Sequence, residues 1–188
     1  MPQLDFDGAN SKISADKIQG QSGTTVTIPA GHNLVGDGSG LTGVGLPDVG
    51  CWVYNSADQS IAANTWVKLE LDAETYDLGN NYDNTTNYRF VCPTAGKYLV
   101  VMYQCWSGQT TDGCDDRIGL YLNGTQRWAR STPGGAQHTP QYSHTIIVNA
   151  SANDYIEFWV RHNMSSAHNS RGGTAATLGN SMQIQQLK

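Results

Sequence analysis

The sequence predicts an all-β sandwich that buries itself further by self-association, and three observations lead there. Of its 188 residues, 21 are glycine and 14% are charged, a balance rich in turns and poor in Glu-, Lys- and Ala-rich helical windows. Runs of aromatic and β-branched residues return at short intervals from Cys51 onward, with turn residues between them. The stretch from Asn87 to Gln104 reads as a strand, a tight turn at Pro93 and Gly96, and a longer strand that is apolar on both faces. Tyr98, Val100 and Met102 point one way, and Leu99, Val101, Tyr103 and Cys105 the other. A second sheet covers one such face, so the other needs a cover from elsewhere in the chain or from another copy.

Taken in order, residues 1–35 are polar, with one alternating run at Thr25, Val26, Thr27 and Ile28 that ends at Pro29-Ala30-Gly31. That run is a short half-buried strand without a local partner, so the segment is expected to dock on something else. Residues 36–49 form a glycine-rich linker, and the head domain is expected over residues 50–188. The linker contains Gly38, Gly40 and Gly43 at dinucleotide-loop spacing, but Gly45 and Pro47 follow at once and no helix can open there. Strands are expected at residues 51–54, 65–71, 88–92, 97–105, 116–122, 126–130, 142–149, 155–162 and 181–187. Asn123-Gly124 is a type I′ hairpin signal, and residues 155–160 again carry large side chains on both faces. Three polar loops interrupt the pattern at residues 107–115, 131–141 and 163–180.

A formal net charge of −5 argues against nucleic acid, whose binding rests on Lys and Arg. No apolar run reaches the roughly 18 residues that suggest a membrane span, so no insertion is expected. The start lacks a signal-peptide pattern, and Cys51, Cys92, Cys105 and Cys114 are expected as buried thiols of a reducing compartment. Glu70, Glu74 and Glu157 are the only glutamates, and no nucleophile elbow, zinc helix or Cys-His signature occurs. The reading is therefore of a chain that is not an enzyme and needs no cofactor. Asp112, Asp115 and Asp116 cluster without EF-hand spacing, so solvated aspartates are expected rather than a calcium site. His138, His144, His162 and His168 lie in or beside the loops and are expected as ordinary histidines, leaving no metal site. Trp106, Trp128, Tyr142 and Trp159 are candidates for a sugar-stacking platform or for core, with Trp106 the most open of them.

Three blocks carry a resemblance: Tyr88-Arg89-Phe90-Val91-Cys92-Pro93 with Ala95-Gly96-Lys97-Tyr98, then residues 118–124 (IGLYLNG), then residues 153–158 (NDYIEF). In order and spacing they resemble the globular heads of complement subcomponent q and of tumour necrosis factor relatives, over about residues 50–188. The resemblance implies a ten-stranded jelly-roll β-sandwich that assembles as a homotrimer with inner-sheet aromatics near the threefold axis. Candidate interface residues are Tyr98, Val100, Met102, Tyr103, Tyr155, Phe158 and Trp159. Residues 1–49 lack a Gly-X-Y repeat and resemble the amino-terminal segments of bacteriophage fibre and decoration proteins. That implies a virion protein assembled in the host cytoplasm, docked on other virion proteins through residues 1–35. Its loops would present Trp106, Asp112, Asp115, His138, His168 and Arg171 to a host surface polysaccharide. A capsid decoration protein and a secreted ligand are the alternatives.

Overall fold

The structure is a computed structural model that describes residues 49–108, 114–133, 141–174 and 179–187. These lie in a compact unit, Gly45–Lys188, while the expected anchoring segment and nearly all of the linker lie outside the described residues. Thirteen strands follow in chain order among the described residues. They are β1 (Gly50–Tyr54), β2 (Gln59–Ile61), β3 (Val67–Lys68), β4 (Ala73–Leu78), β5 (Tyr82–Asp83), β6 (Arg89–Val91) and β7 (Gly96–Cys105). Then come β8 (Asp115–Leu122), β9 (Thr125–Pro133), β10 (Gln141–Ala150), β11 (Tyr155–Arg161), β12 (His168–Ser170) and β13 (Ser181–Leu187).

One sheet of five strands runs β10-β7-β13-β1-β4, and a sheet of six runs β5-β6-β11-β8-β9 with β3 also paired to β11. Strand β12 pairs with β2 as a small ribbon. Period-two alternation then sets the layers. Cys51, Val53, Tyr98, Val100, Met102, Met182 and Ile184 face inward from the first sheet, and Phe90, Ile118, Leu120, Ile156, Phe158 and Val160 from the second. The Phe90 and Tyr98 rings meet across the two sheets edge to face, 6.0 Å between centroids. Strand β6 belongs to one sheet and β7 to the other, so the turn between them carries the chain across the sandwich. Asn123 and Gly124 both have positive φ, 54° and 70°, as the hairpin between β8 and β9 requires. All four cysteines are buried and none is in a disulfide.

The end of β7 is clamped by one buried side chain. Asn180 Oδ1 accepts from the Cys105 N–H at 2.7 Å, and its Nδ2 donates to Ser170 Oγ at 2.6 Å. Its backbone joins in, donating to Arg171 O at 3.0 Å and accepting from the Asn55 N–H at 3.1 Å. Asn180 thus ties β7, β12 and the residue after β1 together. Asn180→Ala removes the side-chain bonds and strands their buried partners, so it should cost about 2–4 kcal/mol. Urea unfolding checks this: the midpoint falls while the slope is unchanged.

Candidate functional site

The outward face of the five-stranded sheet is the molecule's most unusual surface. Register places Tyr54, Ser181, Tyr103 and Ser143 in one row across β1, β13, β7 and β10. The next rows are Tyr76, Trp52, Gln183, Val101 and Thr145, and then Leu78, Gly50, Gln185, Leu99 and Ile147. Leu187 and Lys97 stand one register step further along the same face. Tyr76, Leu78, Ile147 and Leu187 are the large exposed hydrophobics among the described residues, 37–57% exposed, and all four lie here. The face is apolar at its two ends, with Trp52, Tyr54, Tyr76 and Leu78 at one and Leu99, Val101, Tyr103 and Ile147 at the other. Uncharged Ser181, Gln183 and Gln185 on β13 separate them. Two exposed apolar patches on one sheet face mark it as a candidate interaction surface.

The structure sorts the expected interface residues. Tyr98, Val100 and Met102 are 0% exposed and Phe158 1% in the single chain, so they have no surface left to give a second copy. They form the inner layer, because β7 turns its even-numbered residues toward the other sheet. Tyr103 is on the open face, but Tyr155 and Trp159 belong to β11 of the opposite sheet, where the Tyr155 ring carries the Arg89 guanidinium at 4.4 Å.

The expected loop ligands also separate. Trp106, expected as the most open aromatic, is 0% exposed. Its ring packs edge-on against His162 at 5.1 Å and against His168 at 5.6 Å, because β12 folds over the end of β7. His168 is half-buried there and Arg171 is exposed nearby, its backbone N–H donating to Cys105 O at 2.8 Å. Asp115 accepts from Arg117 Nε at 2.7 Å and from Ser131 Oγ, which holds its carboxyl below the usual range. Its bond to Ser131 links β8 to β9. Asp112 and His138 lie outside the described residues. No group of three or more metal-ligating side chains occurs among the described residues.

No protein-family model and no curated protein matches the chain. Solved structures do. The Eiger TNF of S. frugiperda is 11% identical over 76% of this chain and 94% of its own, with a TM-score of 0.54. The globular domain of zebrafish complement 1qA protein is 10% identical over 76% and 98%, with a TM-score of 0.52. The PRD1 vertex protein P5 is 11% identical over 77% and 99%, with a TM-score of 0.55. The fold is the jelly roll of tumour necrosis factor and complement heads. At these identities the likeness concerns the fold alone.

Inside the sandwich, a polar cluster lies between the sheets at the Trp106 end. Asp116 is 1% exposed, and the Tyr142 hydroxyl donates to its Oδ2 at 3.3 Å. Burial pushes its carboxyl above the usual value, against the opposing pull of Cys114, Tyr142 and His162. His162 Nδ1 accepts from the Met164 N–H at 3.2 Å, and Nε2 donates to Ile61 O at 3.0 Å. Because the folded pKa of Asp116 is raised, its stability contribution is whole below the ordinary value of about 4 and is lost as pH rises through the folded value. Asp116→Asn stays neutral throughout. Its stability relative to the parent should therefore rise as pH climbs above about 4 in urea titrations; a flat difference would show an ordinary carboxyl.

Proposed function

We propose that the chain is a non-enzymatic virion structural protein whose jelly-roll head assembles as a homotrimer and adheres to a host surface glycan. The open face of the five-stranded sheet carries this reading. A twofold contact lays one patch on its own copy, whereas a cyclic ring lays one patch on a different one. Two apolar ends divided by a stripe of serine and glutamine suit the ring, with the β1–β4 end of one copy seated on the β7–β10 end of the next. A groove of about 510 Å³ between Leu120, Leu122, Ile146, Ile147 and Val148 lies at that β10 edge and gives the neighbour somewhere to key in. The threefold itself comes from the resemblance to complement and tumour necrosis factor heads.

The likeness to a phage vertex protein, covering 99% of that chain, supports a place on a virion and favours a capsid vertex or decoration role as the second reading. The amino-terminal residues 1–35 are the proposed attachment to the particle. Adhesion needs no strong single site: linked copies raise avidity by roughly 10² to 10⁴.

Light scattering of the purified chain tests the assembly. The expected mass is three times 20.3 kDa and does not fall on dilution, while Leu99→Arg, a change on the half-buried outer face, gives a smaller species. A parent protein of one chain mass would overturn the reading.

A further inference from the structure

Assembly through the five-stranded sheet leaves the outward face of the other sheet free, and that face carries a fixed aromatic cluster. Trp159 on β11 and Tyr121 on β8 stack with centroids 4.7 Å apart and planes at 25°. Trp66, just before β3, meets Tyr121 edge-on at 6.0 Å. Gly119 pairs directly with Trp159, and a Cβ at Gly119 would come within 2.9 Å of Trp66 Cζ3, so the missing side chain makes room for the indole. All three residues are half-buried, each keeping part of its ring surface open.

Polar groups hold this cluster in place. Glu157, 5% exposed, accepts from Trp159 Nε1 at 3.2 Å and pairs with Lys68 Nζ at 3.0 Å. Lys68 Nζ also donates to Asn87 O at 2.7 Å, and its side chain is 27% exposed. One register step beyond Trp159 and Gly119, Arg161 pairs with Arg117 and offers further donors. The indole N–H is already satisfied and the rings are braced, so a ligand meets a rigid ledge with little ordering left to do.

Size selects the kind of ligand. Three half-buried rings present no more than about 300 Å², well short of the roughly 800 Å² per partner of a stable protein interface. A net charge of −5 opposes a nucleic-acid strand. A short sugar chain fits, with its apolar ring face on the aromatics and its hydroxyls toward Lys68 and the arginines.

We infer that Trp66, Tyr121 and Trp159 form a carbohydrate-binding ledge, an inference that rests on the adhesive reading above and locates its contact on a sheet instead of the loops. The test titrates the full chain with maltohexaose, cellohexaose, chitohexaose and purified bacterial lipopolysaccharide, followed by calorimetry. At least one probe is expected to bind. Trp159→Ala and Trp66→Leu are expected to weaken that binding about tenfold or more. Trp66 lies just before β3, outside the strands, so its variant is a second test with less disturbance of the sheet, and circular dichroism checks that each variant is folded. Binding that survives Trp66→Leu but is lost in Arg171→Ala would overturn the ledge and leave the adhesive reading standing. A parent chain that binds none of the probes would overturn both.

Discussion

The fold depends on a single constraint: a strand has two faces, and β7 is apolar on both. With ten residues between β10 and β13, it supplies the inner layer with Tyr98, Val100 and Met102 and the outer surface with Leu99, Val101 and Tyr103. The inner set is satisfied within the chain by Phe90 and the β8 and β11 side chains of the facing sheet. The outer set is not, and its neighbours in register repeat the pattern with Trp52, Tyr76, Leu78 and Ile147. The apolar character therefore belongs to a whole sheet face. In the proposed assembly a sister copy supplies a cover of comparable extent.

Much of this was legible in the residues. The long strands β1, β7, β8, β10, β11 and β13 carry strong alternating or doubly apolar patterns, and each lies within one or two residues of its expected bounds. The strands that sequence reasoning missed are short or polar. Strand β4 (Ala73–Leu78) is an edge strand that shows polar Glu74, Thr75 and Asp77 along its length, and β12 (His168–Ser170) is held by the Asn180 clamp, which leaves no periodic trace. Strand β3 shrank to two residues because only Val67 and Lys68 reach the β11 ladder.

The site was legible in kind and misplaced in detail. Alternation shows that one face of β7 is left over but not which, so the sequence alone groups Tyr98, Val100 and Met102 with Tyr103. Trp106 read as open because it begins a polar loop, yet the chain returns in β12 to lay His168 against it. The aromatic ledge was half visible through Trp159. Its partners Trp66 and Tyr121 are distant in sequence and meet only because β3 and β8 flank β11, and Gly119 could be seen as the space for an indole only once the register was known.

On the proposed reading the two outer faces divide the work, one with apolar patches that hold copies together, the other narrow, aromatic and rimmed with charge. The most direct test of the central claim is hydroxyl-radical footprinting of the native protein in solution. If sister copies cover the open face, Leu78 and Ile147, 39% and 57% exposed in the lone chain, will be oxidised as slowly as the core residues Leu120 and Ile184. Oxidation of Leu78 and Ile147 at the rate of freely exposed aliphatic side chains would contradict it.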